Sequence, residues 1–416
     1  MSQERNGHVL TEDEQNYIRN DVVIMSKALN YMFKQKLTKM TSASNSISNY
    51  RDIIGKTKFN HYFPKLSYEL DHDLRQAYKG GFTYANPIYK EKEVGEGVVL
   101  DVNSLYPSVL YEKEMPFGKP LFYKGKYKDD RVFPLYIQRI SCSFKIKKNH
   151  IPTIQIKNRK SMFRSNEYLT SSNGEVISLT LTNIDLKLFL DQYDVEDLEY
   201  ECGWKFKSIK GLFKDYIDKW IEIKIQATKT GNKGLRTIAK LMLNSLYGKF
   251  ASSMDLRNKY PFMTEDGVIH YRLSEPKQKD GIYIPVGVFT TSYAREKTIR
   301  TAQAITDYSL KKYGKDLFCY SDTDSIHSLL PIEELKLFCE IDDVKLGAWK
   351  HESSFERAKF IRAKTYLEYF DGEMNITCAG MPKSCYKNVT WENFKVGLTV
   401  PRETYIFSYQ RRSIIN

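Results

Sequence analysis

The most constraining feature of the sequence is an acidic tripeptide, Asp322-Thr323-Asp324, set between two short apolar runs within residues 316–330. Apolar runs of this length are typical of buried strands, so the segment predicts a strand, an acidic turn and a second strand. Two carboxylates at i and i+2 of an extended turn would point the same way, which is costly unless cations neutralise them. Such a tripeptide alone is more often a plain turn. The flanking strands favour a fixed site at the edge of a packed sheet.

A third carboxylate, Asp101, ends a second strand-like run at residues 98–102. Taken alone it would be a strand cap or an Asx-turn. Together with Asp322 and Asp324 it would complete a carboxylate cluster for two metal ions, which can activate an attacking oxygen and stabilise a leaving phosphate. The seven histidines and six cysteines form no HExxH, HxH or CxxC pattern. Carboxylate ligands therefore predict Mg²⁺ or Mn²⁺.

Residues 213–250 predict a helical hairpin with its turn at 230–234. On the second helix, residues spaced i, i+4, i+8 and i+11 share one face, and they are Arg236, Lys240, Asn244 and Tyr247. The opposite face carries Ile238, Leu241, Met242, Ser245 and Leu246. A stripe of this kind can bind triphosphate oxygens and stack a base. The alternative is an ordinary solvated face.

The charge of the chain favours a polyanionic partner. Lys and Arg number 64 against 51 Asp and Glu, a net charge of +13, which points to nucleic acid first and an anionic membrane surface second. No run of about 18 apolar residues predicts a membrane span. The N-terminus has no signal-peptide pattern. The scattered cysteines fit a reducing cytosol.

Three further segments are charged. Residues 143–165 carry only basic charges and residues 191–201 only acidic ones, which indicates either two solvated faces or a bipolar surface for a partner. In the basic segment that contains Lys359 and Arg362, the tripeptide 364–366 places a lysine and a tyrosine on one side of an extended strand, where they could hold a phosphate backbone.

Several segments, in this order, resemble conserved motifs of family B DNA polymerases. DVNSLYPS (101–108), KLMLNSLYGKF (240–250) and YSDTDS (320–325) resemble motifs A, B and C, while YKGGF (78–82) and KTY (364–366) resemble the YxGG and KxY elements. The likeness spans about residues 12–397 and is strongest to the protein-primed branch of φ29-type Bacillus phages.

The resemblance implies an α+β, right-hand polymerase fold with an antiparallel palm sheet, helical-hairpin fingers, two family-specific insertions and a short thumb. The implied segments are 1–41 as a remnant of a 3′–5′ exonuclease domain, 42–112 as the first part of the palm, 113–212 as the first terminal-protein insertion, 213–251 as the fingers, 252–283 as the second insertion, 284–378 as the second part of the palm and 379–416 as the thumb.

Residue roles follow from the same resemblance. The implied catalytic residues are Asp101, Asp322 and Asp324. The implied ligands of two Mg²⁺ ions, for which Mn²⁺ can substitute, are Asp101, Val102 and Asp324. The implied nucleotide-binding residues are Tyr106, Lys224, Lys240, Asn244 and Tyr247, of which Tyr106 would reject the ribonucleotide 2′-hydroxyl. The implied DNA-binding residues are Tyr78, Gly80, Gly81, Lys364 and Tyr366.

The resemblance is incomplete at the N-terminal end. Of the family's exonuclease motifs only YxxxD is present, from Tyr17 to Asp21, and no Asp-x-Glu precedes it. Because a two-metal nuclease cannot work with one carboxylate, we expect no 3′–5′ exonuclease from this chain alone; a separate polypeptide is a candidate source of it. Residues 379–416 do not resemble the family's thumb hairpin.

The expected function is template-directed DNA polymerisation of phage or mobile-element DNA in the host cytoplasm. The implied partners are primer-template DNA, dNTPs and a terminal protein that primes initiation. The alternative is an incomplete or split polymerase that only binds DNA or terminal protein. A two-metal nuclease would share the carboxylates, but it would not explain the 235–250 helix or Tyr106.

Overall fold

The apolar and amphipathic segments of the chain form helices and strands around the acidic motifs. The structure is a computed structural model that describes residues 9–155, 168–265, 267–401 and 412–414. Within these residues the helices are α1 (Glu12–Lys34), α2 (Ser42–Ile54), α3 (Lys56–Tyr62), α4 (Tyr68–Arg75), α5 (Leu105–Glu112), α6 (Asn183–Gln192), α7 (Lys214–Lys229), α8 (Lys233–Phe250), α9 (Ile284–Tyr313), α10 (Ile332–Leu335) and the 3₁₀-helix Lys383–Asn388.

The strands of the same residues are β1 (Thr83–Ala85), β2 (Glu93–Val94), β3 (Gly97–Val102), β4 (Glu114–Lys124), β5 (Leu135–Ile146), β6 (Ile154–Gln155), β7 (Tyr168–Leu169), β8 (Ile177–Thr182), β9 (Tyr193–Lys210), β10 (Asp255–Leu256), β11 (Lys259–Met263), β12 (Ile269–Leu273), β13 (Lys277–Gln278), β14 (Phe318–Asp322), β15 (Ser325–Ser328), β16 (Trp349–Phe355), β17 (Arg357–Arg362), β18 (Thr365–Phe370), β19 (Glu373–Cys378), β20 (Thr399–Pro401) and β21 (Arg412–Ile414).

An antiparallel sheet of five strands, in the order β1-β14-β15-β3-β16, forms the centre of the fold. The predicted strand, turn and strand of residues 316–330 are confirmed as β14 and β15, and the predicted strand at 98–102 is β3. Both β3 and β14 are buried along most of their length, which agrees with their continuous apolar runs. A second antiparallel sheet has the order β19-β18-β17-β2.

The predicted helical hairpin is confirmed as α7 and α8, and its connection is shorter than predicted. Helix α8 already begins at Lys233, where the side chain of Asn232 caps it by accepting from the main-chain N–H of Leu235 at 3.0 Å. The apolar face is buried at Ala239, Met242, Leu243, Leu246 and Phe250. The placement of Leu241 on that face is wrong, because its side chain is 46% exposed.

Strands β4, β9, β5 and β8, in that order, form a separate sheet within the segment 114–210, called here the 114–210 sheet, and α6 packs against it. The described parts of the two charged blocks lie on neighbouring strands: Lys145 pairs with Asp194, and Ser143 with Glu196. The described parts of the blocks therefore lie side by side on one sheet, and the choice between solvated faces and a bipolar surface for a partner stays open. Residues 156–165 of the basic block lie outside the described residues.

Residues 255–278 form two small antiparallel ribbons, β10 with β13 and β11 with β12. Every described residue of β11 and β12 is exposed. Both ribbons lie in the segment, residues 252–283, that the resemblance implies as the second insertion.

Near the N-terminus, residues 12–34 form the exposed helix α1. It begins at Glu12 because Thr11 and Glu14 form a capping box, and none of its residues is buried. In the tail, where no pattern was evident, residues 379–401 pack with β17 and β18 around Trp391 and Phe394. In the described part of the chain, no helix is both long and apolar enough to cross a membrane.

A buried ion pair joins α6 to the long helix α9. The guanidinium of Arg295 binds both carboxylate oxygens of Asp185, at 2.6 and 3.1 Å, and the two side chains are 5% and 11% exposed. Asp185 also accepts from the hydroxyl groups of Thr182 and Ser292. The network thereby fixes the 114–210 sheet against the centre of the fold.

Asp185→Ala is expected to lower the free energy of unfolding by about 3 kcal/mol, because the buried guanidinium of Arg295 would lose its counter-ion. Chemical denaturation measures the change. The control is Asp280→Ala, which removes the exposed partner of Lys65 and should have little effect. Equal effects of the two substitutions would contradict the role of the buried pair.

Candidate active site

The acidic turn between β14 and β15 is tight and strongly constrained. Thr323 adopts φ = +67°, a region that β-branched residues rarely occupy. Its main-chain N–H donates to the carbonyl of Phe82 at 2.6 Å, and its carbonyl accepts from the hydroxyl of Thr298 at 2.9 Å. A Cβ atom on Gly81 would lie 2.5 Å from Cγ2 of Thr323. Glycine at 81 is therefore required so that the 78–82 segment can pack against the turn.

Asp101 and Asp324 are brought together by strand pairing. Asp101 lies opposite Ser325 in the β3–β15 pair, and the N–H of Val102 donates to the carbonyl of Asp324 at 2.8 Å. Burial, followed by the charges of Asp324 and Glu352, raises the pKa of Asp101 to about 7. Burial also raises the pKa of Asp324, and the charge of Asp322 adds to it. Both carboxylates therefore lie where a cation would be stabilising.

Asp322 has a different partner. Its Oδ1 atom accepts from Nζ of Lys364 at 2.6 Å. Lys364 has φ = +57° and precedes β18, and its main-chain N–H donates to the hydroxyl of Tyr320 at 2.7 Å. One prediction is therefore wrong: Lys364 lies in a turn and not on a strand with Tyr366. Asp322 is paired with a cation of the chain, and its place in a metal cluster with Asp101 and Asp324 stays a prediction.

An open cavity of about 440 Å³ lies between α5, α7, α8 and the ends of β3 and β15, and all five predicted nucleotide-binding residues line it. Its lining includes Asp101, Val102, Tyr106, Lys224, Arg236, Lys240, Asn244, Tyr247 and Asp324. The rings of Tyr106 and Tyr247 stack with centroids 4.0 Å apart at an angle of 29°. Burial lowers the pKa of Lys224, and the charges of Arg236 and Lys240 lower it further. One wall is therefore cationic, another is acidic, and an aromatic surface lies between them.

A bulge in β16 adds two residues that sequence reasoning missed. Lys350 pairs with Asp101, and the register between β16 and β3 then shifts between His351 and Ser353, so that Glu352 is the extra residue. Lys350 and Glu352 both line the 440 Å³ cavity. Bulges often redirect side chains in this way beside active sites. The charges in this segment were visible in the sequence, but the pairing of β16 with β3 was not.

A second open cavity, of about 470 Å³, adjoins the first and shares Asp101, Tyr106 and Asp324 with it. This cavity is also lined by Asp322, Lys364 and Tyr366. The predicted DNA-binding pair of the KTY segment therefore lies directly beside the acidic turn.

Tyr78 and Gly80 lie on a third cavity, of about 650 Å³, between the 114–210 sheet and α9. The Nη1 atom of Arg295 donates to the carbonyls of Lys79 and Gly80 at 2.9 and 2.8 Å. A Cβ atom on Gly80 would meet nothing within 4 Å. Packing therefore explains the glycine at 81 and does not explain the glycine at 80.

The residues present fit a divalent cation that is shared with a phosphate ligand. Asp101 and Asp324 offer hard carboxylate oxygens, and Val102 can offer only its main-chain carbonyl. The described residues contain no group of three or more His, Cys, Asp or Glu side chains arranged to hold a metal ion. Mg²⁺ commonly binds one or two protein carboxylates and takes its other ligands from phosphate and water, which agrees with this limited set.

The comparisons with known proteins agree with the motifs. A sequence model of the family described as "DNA polymerase type B, organellar and viral" matches residues 1–328. The chain is also 46% identical over 412 residues to the DNA polymerase of Bacillus phage phi29, which covers 94% of this chain and 69% of that relative. The chain belongs to the type B DNA polymerases. The resemblance to φ29-type polymerases that the motifs predict is thereby confirmed.

Other relatives support the same assignment for this type B DNA polymerase. It is 34% identical over 396 residues to the DNA polymerase of Streptococcus phage Cp-1, covering 92% of this chain and 67% of that one. A solved structure of phi29 DNA polymerase complexed with primer-template DNA and incoming nucleotide substrates matches 100% of this chain and 74% of its own, with 44% identity and a TM-score of 0.89. The mixed fold of helices and antiparallel sheets is confirmed.

Gly81→Ala is expected to reduce incorporation by this polymerase at least about tenfold, because the new Cβ atom would displace the turn that carries Asp322 and Asp324. Steady-state primer extension measures the loss. Adding Thr323→Gly should restore much of the activity, since it removes the clashing side chain and accommodates the positive φ. The matched control is Gly95→Ala, outside the active-site cavities, where a Cβ atom would meet nothing within 4 Å. Full activity of Gly81→Ala would contradict the packing argument.

Proposed function

We propose that the chain catalyses template-directed addition of deoxynucleotides to a primer by two-metal nucleotidyl transfer. The observation that carries the proposal is the convergence of Asp101 and Asp324 with a cationic helix pair and a tyrosine stack around one cavity. Each wall offers what one part of a nucleotide needs: oxygen ligands for a metal, cations for phosphates and a flat ring for the sugar and base.

The cationic wall would bind the triphosphate. Lys224, Arg236 and Lys240 come from two facing helices and reach the same cavity. Lys224 also lies within 3.4 Å of the hydroxyl of Ser104, just before α5. Burial makes the charged form of Lys224 costly. An anion that binds beside it would therefore stabilise that charged form. Asn244 and Tyr247 continue the same helix face toward the sugar and base.

The acidic wall would hold the metal ions through Asp101, Asp324 and the carbonyl of Val102. When bound, such ions increase the nucleophilicity of the primer 3′-oxygen and neutralise the departing pyrophosphate. Asp322 would contribute by orienting Lys364, whose ammonium group it binds. Lys364 and Tyr366 would then steady the primer terminus, while Tyr78 and Gly80 would contact the template beside the 650 Å³ cavity.

The biological context follows from the phage relatives. We expect the enzyme to replicate phage or mobile-element DNA in the host cytoplasm, with a terminal protein as the first primer and residues 113–212 as a contact for it. In this proposal, residues 42–112 and 284–378 serve as palm and 213–251 as fingers. We expect no 3′–5′ exonuclease from the chain alone, since Tyr17 and Asp21 lie on the exposed surface of α1.

Primer extension with dNTPs and Mg²⁺ tests the proposal. The native chain should extend a primer, whereas Asp324→Ala should abolish incorporation and leave the melting temperature and DNA binding nearly unchanged. Asp322→Ala should also abolish incorporation, and it should weaken primer-template binding because Lys364 loses the carboxylate that orients it. The matched control is Asp343→Ala, an exposed carboxylate outside the cavities. Chelation of the metal should stop extension by the native chain. Binding without any extension would favour the alternative, an incomplete or split polymerase that only binds DNA or terminal protein.

Tyr106→Val is expected to admit ribonucleotides, because it removes the ring that stacks on Tyr247 at the sugar position. The preference for dNTP over NTP, measured as the ratio of kcat/KM values, should fall roughly 10- to 100-fold. Tyr111→Val on the same helix is the control, since Tyr111 packs against the core and lines neither active-site cavity. An unchanged ratio for Tyr106→Val would contradict its role in sugar selection.

A further inference from the structure

The strand that follows Lys364 belongs to a different sheet from the acidic turn. β14 and β15 lie in the five-stranded sheet and β18 in the four-stranded one, and no strand pairing in the described residues joins β18 to either of them. Side chains therefore contribute, together with the short connections from β2 to β3 and from β16 to β17, to where Lys364 and Tyr366 lie relative to Asp322. One such link is the hydrogen bond from the Lys364 N–H to the hydroxyl of Tyr320.

A buried polar pair provides a second link between the sheets. Nδ1 of His327, on β15, lies 2.7 Å from Oε1 of Glu368, on β18. The two residues are 1% and 3% exposed. A buried carboxylate is costly unless it is hydrogen-bonded. The nucleotidyl-transfer mechanism described above makes no use of this pair.

The pair lies under the residues expected to hold the primer. Tyr366 and Glu368 are two residues apart on β18, so their side chains lie on the same face of the strand. The rings of Tyr320, His327 and Tyr366 pack together, with centroid distances of 5.0 to 5.1 Å. The bond between His327 and Glu368 therefore fixes the face of β18 from which Tyr366 projects.

The chemistry of the imidazole favours one arrangement of the bond. Nε2 of His327 is buried and has no hydrogen-bond partner in the described part of the chain. A buried nitrogen without a partner costs less as an acceptor than as an N–H donor. The proton is therefore on Nδ1, whose N–H group donates a hydrogen bond to Glu368. An apolar pair of equal volume would also bury surface, but it would not specify a single alignment of the sheets.

We propose that His327 and Glu368 are positioning residues, whose hydrogen bond aligns the KTY segment over the acidic turn so that Lys364 and Tyr366 can hold the primer terminus. The effect on primer binding rests on the proposed polymerase function. The alignment itself does not, and it can be measured separately.

The test compares three variants of the full chain. Glu368→Gln keeps an acceptor for the Nδ1–H group, Glu368→Leu removes it, and His327→Phe/Glu368→Leu replaces the pair with apolar side chains. The matched control is Glu373→Leu, an exposed glutamate on the neighbouring strand β19. The readouts are hydrogen exchange of the Lys364 amide, the KM values for primer-template and for dNTP, and the melting temperature.

Glu368→Leu should speed exchange of the Lys364 amide and raise the KM for primer-template, each about tenfold, with little change in the KM for dNTP. Glu368→Gln should remain near the native values. The double variant should regain the native melting temperature and keep the raised KM and fast exchange, which a merely structural role would not predict.

The proposal would be overturned if Glu368→Leu kept the native exchange rate of the Lys364 amide and the native KM for primer-template. It would also be overturned if both values returned to native in the double variant. If Glu368→Leu does not fold, the double variant and Glu368→Gln make the same comparison. If the native chain does not extend primers, the proposed function fails, and amide exchange alone still decides whether the pair aligns the two sheets.

Discussion

The hydrogen bond from the Val102 N–H to the Asp324 carbonyl is the contact on which the site depends most directly. It extends the pairing of β3 with β15 by one residue, to Asp324 just before the first residue of β15, so that two acidic residues distant in sequence lie side by side. A shift of one residue in this register would move Asp101 to the other face of the sheet. The glycine at 81 and the hydroxyl of Thr298 hold the same turn from other sides. The spacing of the carboxylates is thus a property of the sheet.

Charge around the turn is distributed in two adjoining systems, since the charge of Asp322 also acts on Asp324. Asp322 is neutralised within the chain by Lys364, whereas Asp101 and Asp324 lie beside Glu352, with cations across the cavity. The first system is internally paired and suits an orienting role. The second has negative charges on one wall of the cavity and positive charges on another. Such walls suit a ligand that contains both a metal ion and phosphates.

The strands around the acidic residues, the helix pair α7 and α8 and the polar face of α8 were all predictable, because each depends on local periodicity. The family was predictable from the order of the motifs. Lys350 and Glu352 were not, since their position depends on a bulge and on the pairing of strands far apart in sequence. The pairing of Asp322 with Lys364 was missed for a related reason: it requires a positive φ at a lysine, which no pattern of residue types indicates.

The cationic wall has a consequence for the molecule without a ligand. Lys224, Arg236, Lys240 and Lys350 face one cavity from α7, α8 and β16, so their mutual repulsion opposes the packing of the helix pair against the sheet. An anion that enters between them removes this repulsion and, by mass action, favours the packed arrangement. Under the proposed function, the charge of an incoming nucleotide would contribute to the conformational stability of the helices that bind it.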